Sequence, residues 1–283
     1  MESLEGFLMA RPSRKITFFT TYIPNFQGLS RWDGLWVDSN MGAGVIIGVV
    51  DSGITPRHAS FMDDSSMPPP PTKWKGTCGF SNKTFCNNKL IGAISFDDPH
   101  ADPNDHKGHG THVAGIAAGN FVANASVLGL AKGTASGVAP KAHLAIYSWG
   151  HTLAAIAAAI DRAIQDGVDI LSLSLGHGTH LFADDDFAIA TFGAVKKNIF
   201  VSIATGNSGP FRETVENGAP WQLTVGASNH DRRIVATVRL GNGVELEGQS
   251  RYQPSTSHTT TRVPCLPRAR RSQWHFRLQA KLF

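Results

Sequence analysis

The chain lacks any run of 18 or more apolar residues, which argues against a membrane-spanning helix. Its start, Met1 to Ala10, has neither the basic region nor the long apolar stretch of a secretory signal, since Glu2 and Glu5 interrupt Leu4, Phe7 and Leu8. Acidic residues are missing altogether from 251–283, where seven basic residues stand (Arg251, Arg262, Arg268, Arg270, Arg271, Arg277 and Lys281). Taking those seven from the formal charge of +4 leaves the first 250 residues at −3, so the pI near 9.1 belongs to the tail. The main body therefore has no basic field for a nucleic-acid or membrane-surface partner. Cysteine is scarce, at three residues, and Cys265 has no obvious partner. Cys78 and Cys86, by contrast, bracket a Gly/Asn/Ser-rich loop that can close a small disulfide ring. Such a ring suits an oxidising compartment. The sequons Asn82-Lys83-Thr84 and Asn124-Ala125-Ser126 point the same way and make Asn82 and Asn124 candidate glycosylation sites.

What is present suffices for one large globular body, at 283 residues and 41% hydrophobic composition. Val45-Ile46-Ile47-Gly48-Val49-Val50 is an unbroken apolar run, as expected of a strand buried on both faces of a parallel sheet, with Asp51 at its carboxyl end. Further strands are predicted over Ala142–Tyr147, Val168–Leu175, Ile199–Ala204 and Gln222–Val225, and helices over His109–Ala118, Leu153–Gln165 and Phe187–Lys197. Strand and helix alternating at this pitch predict an α/β fold, a doubly wound and mostly parallel sheet flanked by helices. Met67-Pro68-Pro69-Pro70-Pro71 reads as a stiff surface loop.

Ligands of such sheets bind beyond the carboxyl ends of the strands, where three polar segments collect. Asp51 follows the first strand and can hold an imidazole in one tautomer. His109 opens a helix made of Ala and Gly that can pack closely on that strand. Asn207, in the Gly-flanked turn Ala204-Thr205-Gly206-Asn207-Ser208-Gly209-Pro210, can aim its amide at a developing oxyanion. Each segment has a plainer reading. Asp51-Ser52-Gly53 is shared with aspartic proteases, but they need a second copy, which is absent. His109 and His112 have a ligand-like spacing without a paired Glu or a third ligand cluster, so no metal is expected. Gly42-Ala43-Gly44 precedes a strand instead of following one, which makes it a poor dinucleotide loop. Asn207 alone could cap a turn.

The conjunction resembles the subtilases, specifically plant subtilases of the cucumisin type. Gly44-Val45-Ile46-Ile47-Gly48-Val49-Val50-Asp51-Ser52-Gly53-Ile54, Gly108-His109-Gly110-Thr111-His112-Val113-Ala114-Gly115, Cys86-Asn87-Asn88-Lys89-Leu90-Ile91-Gly92-Ala93, Asp166-Gly167-Val168-Asp169-Ile170-Leu171-Ser172-Leu173-Ser174-Leu175-Gly176 and Asn217-Gly218-Ala219-Pro220-Trp221 carry the likeness. The resemblance implies a subtilisin-like fold and a serine-type endopeptidase acting on polypeptide, without a cofactor. It implies Asp51 as triad acid, His109 as general base, Asn207 as oxyanion donor, and Ser174, Leu175 and Gly176 as the strand that pairs with an extended substrate. It also implies an extracellular location.

Three departures from the family pattern shape the expectations. Residues 1–16 read as a leader remnant without a propeptide, 17–248 as the N-terminal part of a catalytic domain, hence an incomplete fold, and 249–283 as an aberrant, disordered basic tail. The segment between Tyr147 and Asp161 is short. The Gly-Thr-Ser segment that bears the family's nucleophile does not occur, and the chain is expected to be a truncated, inactive form. A non-catalytic peptide-binding or regulatory fragment is the alternative.

Overall fold

The computed structural model describes residues 22–63, 65–98, 100–127, 130–149, 152–178, 180–228, 233–239, 244–248 and 275–281. The expected leader, 1–16, and residues 249–274 of the expected tail lie outside them. After two one-turn helices, α1 (Ile23–Phe26) and α2 (Leu35–Asp38), the chain enters β1 (Ile46–Asp51), all six residues of which are buried. There follow β2 (Leu90–Ser95), α3 (His109–Ala118), the hairpin β3 (Val122–Val127) and β4 (Leu130–Ala135), and then β5 (His143–Ser148). Next come α4 (Leu153–Asp166), β6 (Ile170–Leu173), α5 (Asp186–Val195), β7 (Phe200–Ala204) and β8 (Leu223–Val225). The main sheet runs β2-β5-β1-β6-β7-β8 with every pairing parallel, so all its carboxyl ends lie along one edge. This is the doubly wound α/β arrangement, with β1 at the centre.

The pleat sorts the core into two layers. Ile47 and Val49 of β1 pack with Leu144 and Ile146 of β5 under α3, through Ala114 and Ala118. Ile46 and Val50 pack on the other face with Tyr147, Leu171, Val201 and Ile203 beneath α4 and α5. Alternation with period two carries Asp51 onto the same face as Ile47 and Val49, the α3 face. Helix α4 meets the sheet with Ile156, Ala159, Ile160 and Ala163, spaced as one helical stripe, and burying each isoleucine contributes about 1.5–3 kcal/mol. Its ends are set by Thr152, whose Oγ1 accepts the Ala155 N–H at 3.2 Å, and by Gly167 in the left-handed region.

The strand expected over Val168–Leu175 contracts to Ile170–Leu173, because beyond Leu173 the backbone finds a side-chain partner, Asn217, in place of a neighbouring strand. Strand β2 was not anticipated, since Gly92 interrupts its apolar run. A second sheet, β10-β9-β11, joins β9 (Arg233–Arg239), β10 (Glu245–Gly248) and β11 (His275–Lys281) in antiparallel pairs. Residues 275–281 were expected to be disordered, and here they form a strand. His275-Phe276-Arg277-Leu278-Gln279-Ala280-Lys281 alternates polar and apolar residues, the period of a strand. No helix among the described residues is long and apolar enough to cross a membrane.

Candidate active site

Asp51, the last residue of β1, is 1% exposed. Its Oδ1 accepts the Ser52 N–H at 2.7 Å and lies 2.7 Å from Nδ1 of His109, the first residue of α3. The two residues are 58 positions apart and meet because α3 packs almost without side chains against the turn after β1. A Cβ on Gly110 would collide with the Gly53 carbonyl oxygen and stand 3.0 Å from the Gly53 nitrogen and 3.1 Å from that of Ser52. Gly53, at φ +120°, is in turn pressed against the Asn104 carbonyl. Glycine at 110 thus sets the distance between acid and base. The His109 side chain is 54% exposed, and its Nε2 makes no hydrogen bond among the described residues. An imidazole gripped through Nδ1 by a buried carboxylate, with Nε2 toward solvent, can accept a proton at Nε2 while the acid stabilises the resulting imidazolium. Oδ2 of Asp51 is buried without a hydrogen-bond partner among the described residues, so the carboxylate spends its contacts through Oδ1.

A second carboxylate, which sequence reasoning missed, holds the helix start in place. Asp105 Oδ1 accepts from Ser52 Oγ at 2.9 Å, Lys107 N at 3.0 Å and Gly108 N at 2.8 Å, while Oδ2 accepts from Thr111 N at 2.8 Å and Thr111 Oγ1 at 2.6 Å. Ser52 Oγ also accepts the Gly110 N–H at 2.9 Å, so one short network ties the β1 turn to the free amides of α3. Burial pushes the Asp105 carboxyl up, but the hydrogen bonds from Thr111, Ser52 and Gly108 outweigh it and hold the group at about 2. An acid shortly before a predicted helix start was the available signal.

Two elements along the same edge, β6 and β7 pair in register as far as Leu173 and Ile203. Beyond that point Asn217, 5% exposed, donates through Nδ2 to the Leu175 carbonyl at 2.9 Å and the Ala204 carbonyl at 2.8 Å. Leu175 is buried, Ser174 is half-buried and Gly176 is exposed. Asn207 sits exposed in the bend after β7, following Gly206 at φ +92°. No contact brings Asn207 to His109, and the two share only the carboxyl edge of the sheet. A cavity of about 330 Å³ lies beside the 174–177 segment, lined also by Trp149, Leu153, Ile156 and Phe187.

The remaining candidates lie away from this edge. Cys78 and Cys86 form a disulfide, with Cα atoms 6.0 Å apart. Asn82 and Asn124 are both exposed, Asn82 with its Oδ1 accepting from Thr84 N and Oγ1 at 3.1 and 2.7 Å. His112 is exposed, in the first turn of α3. No group of three His, Cys, Asp or Glu that could hold a metal occurs among the described residues.

A buried acid at a strand end, an imidazole gripped through Nδ1 and a doubly wound parallel sheet are the frame used by hydrolases of the Ser-His-Asp type. Comparison with known proteins makes the class specific. Residues 42–270 match the Subtilase family, a match that runs past the boundary expected at 248. The chain is 42% identical over 274 residues to subtilisin-like protease SBT1.9 of Arabidopsis thaliana, covering 87% of this chain and 37% of that protein. It is 41% identical over 270 residues to subtilisin-like protease SBT3 of Solanum lycopersicum (89% and 35%) and 45% identical over 268 residues to subtilisin-like protease SBT1.2 of Arabidopsis thaliana (86% and 34%). The chain belongs to the subtilase family. It spans about a third of the length of the curated relatives it matches.

Proposed function

We propose that this chain supplies the acid, the base and the oxyanion donor of a serine-type endopeptidase acting on extended polypeptide. The observation that carries the reading is the 2.7 Å contact between buried Asp51 and His109 Nδ1. In that reaction His109 Nε2 takes the proton of a serine hydroxyl as it attacks the scissile carbonyl, Asp51 steadies the imidazolium, and His109 returns the proton to the leaving amine. Asn207 donates its side-chain amide to the tetrahedral oxyanion, and Ser174–Gly176 lends backbone groups to the substrate strand. No serine within the 283 residues stands in a Gly-Thr-Ser turn, so these residues alone do not hydrolyse peptide bonds. An extracellular setting is supported by the Cys78–Cys86 bond and by the exposure of Asn82 and Asn124.

Joining residues 17–248 to the serine-bearing remainder of a plant subtilisin-like protease should give a peptidase. In it, Asp51→Ala lowers kcat by about 10⁴-fold and His109→Ala by about 10⁶-fold, the losses known for subtilisin itself. The 283-residue chain should take no label from a fluorophosphonate. Retained activity in either variant defeats the assignment of acid and base, and labelling of any serine defeats the proposed inactivity. The second reading, a peptide-binding fragment without chemistry, draws on the cavity of about 330 Å³ beside Ser174–His177, and it predicts peptide binding by the chain alone.

A further inference from the structure

The turn after β1 sends two side chains to the start of α3, and only one of them is the acid. Asp51 reaches His109, while its neighbour Ser52, half-buried, faces both ways along the turn. Through its main-chain N–H, Ser52 donates to Asp51 Oδ1 at 2.7 Å. Through its hydroxyl it donates to Asp105 Oδ1 at 2.9 Å and accepts the Gly110 N–H at 2.9 Å. None of these roles can be exchanged. The amides only donate and the two carboxylates only accept, so the single hydroxyl proton has one destination and the hydroxyl one orientation. The Asp51 carboxylate leans on this arrangement. Its hydrogen bonds among the described residues both fall on Oδ1, from Ser52 N and from His109 Nδ1, while the buried Oδ2 has none. A carboxylate held at one oxygen keeps its plane only while both donors stay in place, and one of the two is the ring it has to orient. The other belongs to Ser52. The main chain on either side is held independently, since the Asp51 carbonyl accepts the Trp149 N–H at 3.0 Å. Ile54 donates to the Pro103 carbonyl and accepts the Asp105 N–H, both at 3.1 Å. What the Ser52 hydroxyl adds is therefore the seating of this turn on α3.

We propose that Ser52 is a positioning residue of the acid–base pair, its clamped hydroxyl keeping the Ser52 N–H on Asp51 Oδ1 and the carboxylate turned to His109 Nδ1; this rests on the reading of Asp51 and His109 as acid and base. In that reaction the ring must present a bare Nε2 to the nucleophilic serine, which requires its proton on Nδ1. Ser52 touches no reacting atom and acts through Asp51. Loss of its hydroxyl changes no charge, so an effect on the ring comes from placement.

The test compares the full 283-residue chain, isotope-labelled in its histidine rings, with Ser52→Ala, Ser52→Thr and Thr111→Val by NMR at mildly alkaline pH. The His109 signals are those that vanish in His109→Gln. In the unaltered chain the ring should stand chiefly in the Nδ1–H form. Ser52→Ala should lower the ratio of Nδ1–H to Nε2–H about fivefold, a factor within the net worth of one hydrogen bond, and Ser52→Thr should restore it. Thr111→Val removes a 2.6 Å hydroxyl bond from the other oxygen of the same Asp105 and should leave the ratio unchanged. Should Ser52→Ala not fold, Ser52→Cys, which keeps the bulk and weakens the donor, should shift the ratio in the same direction. An unmoved ratio in the variant that folds overturns the role of Ser52 and leaves acid and base standing. An equal fall in Thr111→Val also overturns it, since the effect would then be a general loosening of the helix start. An unaltered chain in the Nε2–H form overturns the acid–base reading and the role of Ser52 together.

Discussion

At the α3 end of the sheet's carboxyl edge, Asp51 is buried and the amides around it are hydrogen-bonded, with the helix seated directly on backbone at Gly110. At the β7 end, Asn207 and Gly176 are exposed, the strands have parted, and side chains of Asn217 and Glu216 take the places of ladder partners. Under the proposed function the contrast follows from two tasks. Moving a proton between fixed atoms demands that acid and base be held to within a fraction of an ångström, which close backbone packing and short hydrogen bonds supply. Receiving a peptide demands backbone groups and space that the protein itself has not used. On the proposed reading, one end is closed because its partner is internal, and the other is open because its partner arrives from outside.

Gly110→Val should break the closed end most severely. Its side chain would meet the Gly53 and Ser52 backbone, neither of which can rotate away, so α3 must lift from β1. A loss of about 2–3 kcal/mol in unfolding free energy is expected by urea titration, with loss of the low-field Nδ1 proton resonance of His109. Unchanged stability would show that the helix is not fitted to this turn.

Asp105→Asn should act next, removing charge from a carboxylate that accepts five hydrogen bonds. About 1–2 kcal/mol of stability should be lost near neutral pH, allowing for solvent screening of a half-buried group. The pH dependence has a fixed sign. The folded carboxyl sits at about 2, below its ordinary 3.8, so its stabilisation is complete above pH 3.8 and is lost as pH falls through 2. The gap in stability between the unaltered chain and Asp105→Asn should be level from pH 5 to 7 and should close toward pH 2. A gap that stays constant down to pH 2 would show that the lost stability does not come from the carboxylate's charge.

These two positions also mark where the sequence could and could not be read. The sheet and its three long helices follow from apolar runs and helical stripes, which are local properties, and β1, α3 and α4 fall within a residue or so of their expected bounds. Asp51 and His109 were legible because each stands at the end of a regular element, where a parallel sheet gathers its polar residues. Asp105 lies in an irregular segment, and its role depends on which distant amides fold back onto it, a relation with no period to detect. Strand β11 was overlooked for a different reason. The dense basic charge of residues 251–283 masks the polar–apolar alternation of the last few.

The smallest expected effect sharpens the comparison most. Asn207 is exposed, and its side chain makes no hydrogen bond among the described residues, so Asn207→Ala removes nothing the fold uses. Its effect on unfolding should stay within about 0.5 kcal/mol, as for other surface substitutions. In the peptidase completed with a serine-bearing remainder, the same change should lower kcat by roughly 10²–10³-fold with KM little altered, because an oxyanion donor interacts with charge that develops only after the substrate is bound. A residue whose loss costs the folded chain nothing and the transition state several kcal/mol serves the reaction and not the fold, and on the proposed reading that separates the open end of this edge from the closed one. Substantial unfolding of Asn207→Ala, or unaltered kcat, would place Asn207 with the structural residues of the turn and return the oxyanion role to backbone amides.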